Sequence, residues 1–214
     1  MLPEGGRYDT GSATSPRLRQ TGTIFVRVRT VAVATALAMT ALSPAAVAAA
    51  PAPNGVLFVE GDSLTVGSSS AIKANLRSEF RRITVDAQVG RNTPTGVSRL
   101  RAGRNASVWV VALGTNDAPS STTMKRHVRT VLRRAGDRPV LWVSVWRTPA
   151  YGKVNRMLTR LDRRSAQLSV LRWDLFIKDH PRLRAGDGVH LTPAGYQVRG
   201  RMIADAVKAL LAQR

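Results

Sequence analysis

The sequence contains no cysteine. That excludes disulfides, thiolate metal sites, a thiol nucleophile and a lipid-modified cysteine anchor. Histidine is also scarce, at three residues, and neither the histidines nor the 13 acidic residues fall at metal-ligand spacings, so no metal and no cofactor are expected. Aromatic residues make up 5% of the chain. No basic strand is interleaved with them, and no zinc-finger spacing or glycine-rich phosphate loop occurs, so no specific nucleic-acid partner is expected. What the chain has in excess is positive charge: 33 Lys and Arg against 13 Asp and Glu, a net +20. Five of the basic and two of the acidic residues lie in the first 48, so the remainder carries +17. A surplus of that size attracts polyanions, among them nucleic acid, anionic headgroups and anionic cell-wall polymers. Charge alone chooses none of these, and a solvated Arg-rich surface is the plainer account.

Long hydrophobic runs are missing too. The longest, 31–42, is Ala-rich, is followed by Pro44, and falls short of the ~20 strongly apolar residues of a spanning helix. Arg27 and Arg29 precede it and Ala46-Val47-Ala48 follows it, the layout of a secretory signal peptide cut near Ala48 to Ala50. Residues 26–50 are therefore read as that signal, with no stable membrane anchor and an extracellular or wall-associated product. Residues 1–25, rich in Gly, Ser, Thr and Pro, read as disordered or as upstream of a true start near Val26. Residues 51–214 suffice for one domain whose core needs no disulfides, expected to be monomeric.

Within that domain apolar runs alternate with amphipathic stretches. Val56–Val59, Ile83–Val85, Val108–Leu113, Val140–Val145 and Leu168–Leu171 read as buried strands. Helical patterns fall at about 64–80, 95–102, 122–134 and 154–165. A last helix has Thr192 as N-cap, Pro193 at its first position, and Val198, Met202, Ile203, Val207, Leu210 and Leu211 along one face. Strands alternating with helices imply right-handed crossovers and a parallel sheet covered on both sides. Ligands of such sheets bind beyond the carboxyl ends of the strands.

Four short blocks lie where that rule places a site: Gly61-Asp62-Ser63-Leu64 after the first strand, Val89-Gly90-Arg91-Asn92 after the second, Gly114-Thr115-Asn116-Asp117 after the third, and Asp187-Gly188-Val189-His190-Leu191 near the end. Singly each has a structural reading: a capped strand-to-helix turn, a turn glycine, an Asx turn and a loop. As an ordered set they resemble the SGNH (GDSL-type) hydrolases, from about Gly55 to the C-terminus. Their wording, with Asp86-Ala87-Gln88-Val89-Gly90-Arg91, is nearest to the extracytoplasmic domains of cell-wall O-acetyltransferases. The resemblance implies a flavodoxin-like three-layer α/β/α sandwich with a five-stranded parallel sheet.

A serine hydroxyl needs an adjacent base, which makes Ser63 nucleophile, His190 base and Asp187 its orienter. The resemblance assigns the oxyanion hole to the backbone N–H groups of Ser63 and Gly90 and the side-chain amide of Asn116. Asp174 is a weaker rival to Asp187, and His127 and His180 carry no partner motif. Asp62 and Asp117 read as loop-holding residues. Arg91 is a candidate substrate contact or an exposed side chain; Trp146, with Arg147 and Thr148, lines the pocket or joins the core. The expected activity is a secreted serine esterase cleaving short-acyl esters, including O-acetyl groups on envelope glycans. Two alternatives stand beside it: an O-acyltransferase working with a separate acyl-donor protein, and a noncatalytic exported protein that binds polyanions or glycans. A multi-pass membrane domain usually accompanies the transferases of this resemblance, and the sequence carries no such set of runs.

Overall fold

A computed structural model describes residues 55–213. The signal-peptide reading at 26–50 and the reading of residues 1–25 lie outside the described residues. Five parallel strands form one sheet: β1 (Val56–Gly61), β2 (Arg82–Ala87), β3 (Val108–Ala112), β4 (Val140–Val143) and β5 (Leu168–Leu171), in the order β2-β1-β3-β4-β5. The chain starts in the middle, steps to one edge, and then crosses back to the other. This makes the gap between β1 and β3 the place where the strand order reverses, the point beyond which ligands of such sheets bind.

The strands read as unbroken apolar runs because both faces are buried. Their side chains alternate between two cores. Val56, Phe58, Trp109, Val111, Val140, Trp142 and Leu168 face one, shared with α2 (Thr93–Arg99), α3 (Ser121–Ala135) and α4 (Gly152–Asp162). Leu57, Val59, Val108, Val110, Leu141 and Val143 face the other, shared with α1 (Ser63–Leu76), α5 (Trp173–Lys178) and α6 (Pro193–Ala212). Three layers result, as expected.

The expected strands and helices are all present, with shifted ends. The first helix begins on Ser63 itself, because Asp62 caps it by accepting the Leu64 N–H at 3.0 Å. The fourth strand stops at Val143, though Ser144 and Val145 stay buried. One helix had no signal: α5 is six residues long, too short to show a period. Thr192 caps α6 through the Gly195 N–H at 3.2 Å, with Pro193 at its first position.

Two of these helices nearly touch. A Cβ placed on Gly200 of α6 would stand 2.4 Å from the Ala71 Cβ and 3.0 Å from the Ser68 carbonyl oxygen, both on α1. Replacing glycine by alanine inside a helix gains about 1 kcal/mol of propensity. Overpacking costs about 1–3 kcal/mol, and here the obstructing atoms belong to another helix that must move as a unit. Gly200→Ala is therefore expected to be destabilising by up to about 2 kcal/mol in urea denaturation, despite the better helix former.

Candidate active site

The carboxyl end of β1 runs directly into Asp62 and Ser63. Ser63 is the first residue of a 14-residue helix, where backbone N–H groups have no intrahelical acceptor and the helix dipole favours negative charge. Its Oγ lies 3.1 Å from His190 Nε2. His190 Nδ1 lies 2.6 Å from Asp187 Oδ2. The carboxylate stays ionised near neutral pH, so Nδ1 carries the proton it donates, and Nε2 is left to accept from the serine hydroxyl. The hydrogen bond from His190, helped by the backbone N–H groups of Val189 and His190 at 2.9 Å each, pushes the Asp187 pKa down to about 2.

The loop bearing this pair is fastened at several points. The Ala185 N–H donates to the His190 carbonyl at 2.8 Å, and the Thr192 N–H to that of Leu183 at 3.0 Å. Gly188 has φ +71°, a left-handed conformation that favours glycine and lets the chain double back between Asp187 and His190. Trp146 donates its indole N–H to the Gly188 carbonyl at 3.2 Å while its ring packs on the α1/α6 core, and Arg184 lies over that ring. Trp146 is thus both a core residue and a prop for the histidine loop.

The next two loops are tied to the first. The Gln88 N–H donates to the Gly61 carbonyl at 3.2 Å, which holds the segment leading to Gly90 against the end of β1. Gly90 has φ +74° and open space where a Cβ would be. Asn116 donates from Nδ2 to the Arg91 carbonyl at 3.1 Å, and an amide nitrogen has a second hydrogen to spare. Asp117 accepts from the Thr93 N–H at 3.0 and 3.1 Å and from its hydroxyl at 2.5 Å. Asp62 and Asp117 therefore both hold backbone, as their positions suggested.

Arg91 departs from both expectations for it, because it is neither exposed nor free to meet an anion. Its guanidinium is buried, bonded to Glu60 of β1, to the Asp86 carbonyl at 2.7 Å and to the Asp86 carboxylate at 2.8 Å. Arg99 reaches the same carboxylate at 3.1 Å. Burial would raise Asp86, but the bonds from Arg91 and Arg99 outweigh it and hold its pKa below the ordinary range. Glu60 is the surplus acid. Fully buried, it is pushed up to about 8 by desolvation, which Arg91 only partly offsets.

Two further residues carried no sequence signal. Arg199 of α6 is buried against the start of α1, donating to the Leu64 carbonyl at 3.2 Å and to Ser68 Oγ at 3.3 Å, near Asp62. Burial lowers its pKa to about 10, so it stays charged at neutral pH. Tyr151 donates its hydroxyl to the Asp117 carbonyl, and Arg147 donates to that of Thr115 at 2.6 Å. The rival residues are engaged elsewhere. Asp174 is paired with Arg172 at 2.8 Å and accepts from Ser144 Oγ at 2.6 Å. His180 stacks on Phe176. His127 is half-buried, and burial, with Arg126 adding to it, lowers its pKa.

The Glu60 shift has a sign that can be measured. An acid whose folded pKa lies above its unfolded value binds a proton in the native state where the unfolded chain has lost it. Its contribution is whole below about 4.5 and is lost as pH rises toward about 8. Glu60→Gln, which stays neutral, is expected to flatten that part of the stability curve between pH 5 and 8 in urea titrations. An unchanged slope would show that Glu60 is ionised throughout, held so by Arg91.

No family model matches the chain. A Bacillus subtilis (strain 168) protein named "Putative peptidoglycan O-acetyltransferase YrhL" is 27% identical over 161 residues. That alignment covers 70% of this chain and 23% of YrhL, so the chain spans about a quarter of that protein's length. Among solved structures, the C-terminal catalytic domain of Streptococcus pneumoniae peptidoglycan O-acetyltransferase A, carrying a methylsulfonyl adduct, superposes with a TM-score of 0.62 at 20% identity, covering 75% of this chain and 96% of that domain. A family 3 carbohydrate esterase from Clostridium thermocellum gives 0.60 at 14% identity, covering 74% and 98%. With its 2-1-3-4-5 parallel sheet and these likenesses, the chain has the SGNH (GDSL-type) hydrolase fold.

Proposed function

We propose that this protein is a serine ester hydrolase that forms an acyl-enzyme on Ser63 and cleaves short-acyl esters, O-acetyl groups on cell-envelope glycans among them, outside the cytoplasmic membrane. The observation that carries the reading is the unbroken relay from Ser63 Oγ through His190 to Asp187 at the carboxyl end of the sheet. In this reading Ser63 Oγ bonds to the ester carbonyl carbon while His190 Nε2 takes its proton. The ester C–O bond then breaks, and the proton passes from His190 to the departing alkoxide. Water, deprotonated by the same nitrogen, bonds to the acyl carbon and frees the carboxylic acid and Ser63. The oxyanion formed in each half is met by the Ser63 and Gly90 N–H groups and the Asn116 amide.

The substrate class follows from openness. The His190 and Asp187 side chains are 44% and 50% exposed, so the base is reachable by an ester carried on a bulky polymer. Val89, beside Gly90, is 70% exposed and offers apolar surface for a short acyl chain. The Arg91 guanidinium is engaged with Glu60 and Asp86. O-acyl transfer is the second reading, favoured by the likeness to YrhL and to the S. pneumoniae catalytic domain. A sugar hydroxyl in place of water at the acyl-enzyme is the only chemical difference. No helix among the described residues is long and apolar enough to cross a membrane.

Hydrolysis of p-nitrophenyl esters of graded chain length tests the reading, with acetate expected to be the best and Ser63→Ala inactive. A sulfonyl fluoride is expected to modify Ser63, located by peptide mapping; an adduct on any other residue overturns the assignment. Combining Ser63→Ala with His190→Ala is expected to cost little more than either alone, since residues acting as a unit are not additive.

Asn116→Ala is expected to lower kcat by ~10²–10³ with KM little changed. The lost bond to the Arg91 carbonyl adds a stability cost of only about 0.5–1.5 kcal/mol. A wild-type kcat with a lowered melting temperature would make Asn116 a loop residue and nothing more.

A further inference from the structure

A cluster of positive charge lies in a groove that Ser63, His190 and Asp187 do not line. A groove of about 620 Å³ runs between α3 and the α4 segment, lined by Lys125, Arg126, Arg129 and Arg133 on one wall and Arg160 and Arg164 on the other. No acidic residue lines it. The arginines in the ion pairs described above, Arg91, Arg99 and Arg172, lie elsewhere. Six like charges around one groove repel each other, and a bound polyanion relieves that repulsion while releasing its own counterions.

Shape and lining narrow the class. Lys125, Arg129 and Arg133 stand four residues apart on α3, so they form a row with a spacing of about 6 Å along the helix. A row facing a second cationic wall suits an extended chain better than a flat lipid surface. Single-stranded nucleic acid is held by aromatic rings on which its bases stack, and no aromatic residue lines this groove. Hydroxyls of Ser121 and Thr122 and the apolar Met157 and Leu161 make up the rest. Because α3 begins at Ser121, the hydroxyl end of the groove lies at the carboxyl edge of the sheet, the edge that bears Asn116.

We propose that this groove binds a linear phosphodiester polyanion without bases, a polyol-phosphate or sugar-phosphate chain. Binding there needs none of Ser63, His190 or Asp187, so it stands or falls separately from the esterase reading. A ten-unit synthetic glycerol-phosphate oligomer is the probe, with anisotropy read across a KCl series. Arg129→Ala/Arg133→Ala is expected to weaken binding at least tenfold and to reduce the salt slope by about 1.4, the single-strand value for two lost contacts. Arg160→Ala/Arg164→Ala, on the opposite wall, is expected to do the same. Arg77→Ala/Arg81→Ala removes equal charge from exposed positions elsewhere and is expected to change affinity by less than twofold. Unchanged p-nitrophenyl acetate hydrolysis and melting temperature show that the variants are folded.

Equal losses in all three double variants would mean attraction by net charge alone and would overturn the groove. So would a dT10 oligonucleotide that binds more tightly than the glycerol-phosphate oligomer and loses its affinity in the groove variants. Vesicles containing phosphatidylglycerol that respond to the groove variants, when the oligomer does not, would make this a lipid surface and equally overturn the proposal.

Discussion

The site depends on one buried guanidinium. Arg91 sits between two acidic side chains, Glu60 from β1, whose pKa burial pushes up to about 8, and Asp86 from β2, so the first two strands are tied through side chains near their carboxyl ends. Its own backbone then does two further things. Gly90 precedes it, and its carbonyl receives the Asn116 amide from the loop after β3. The ends of β1 and β2 and the loop after β3 thus refer their positions to a single residue. Taking such a cluster out of water costs several kcal/mol per ion, and a well-packed apolar cluster would often be as stable. What the guanidinium's hydrogen bonds add is direction: fixed donors set the orientation of its backbone, which apolar packing does not.

A second buried charge supports the start of α1 in a similar way. Arg199 arrives from α6, the helix that follows the His190 loop, and bonds the carbonyl of Leu64, the residue next to Ser63. The nucleophile's helix and the helix after the base are therefore tied near the start of α1, and Gly200 lets them pack closely further along. Nucleophile and base are 127 residues apart in sequence, and a hydrogen bond of 3.1 Å between them leaves little room for slack in the packing of α1 on α6. Proton relay and helix packing are in this sense one constraint.

The positive charge is put to more than one use. Arg91, Arg172 and Arg199 are consumed by internal contacts, while cations of α3 and the α4 segment gather along one groove that no acidic residue lines. Composition alone suggested a uniformly solvated Arg-rich surface. A helix presenting residues 125, 129 and 133 on one side turns part of that surplus into a row, because a four-residue repeat nearly closes a helical turn.

The sequence by itself determined the alternation of strands and helices, because burial on both faces leaves unbroken apolar strands and burial on one leaves amphipathic helices. It determined the four blocks at strand ends as well, and the cap at Thr192, since these are local signals read over a few residues. It could not show α5, whose six residues span less than two turns. Nor could it show that Arg91 turns inward, for an arginine after a turn glycine looks the same whether its partners are water or two carboxylates from other strands. Arg199 was hidden among the arginines of α6 for the same reason, and Trp146 showed its double role only when the Gly188 carbonyl came within reach. Such contacts join residues 31, 42 or 135 positions apart. Pairing at that range is decided by how layers stack, and only the tertiary structure contains that information.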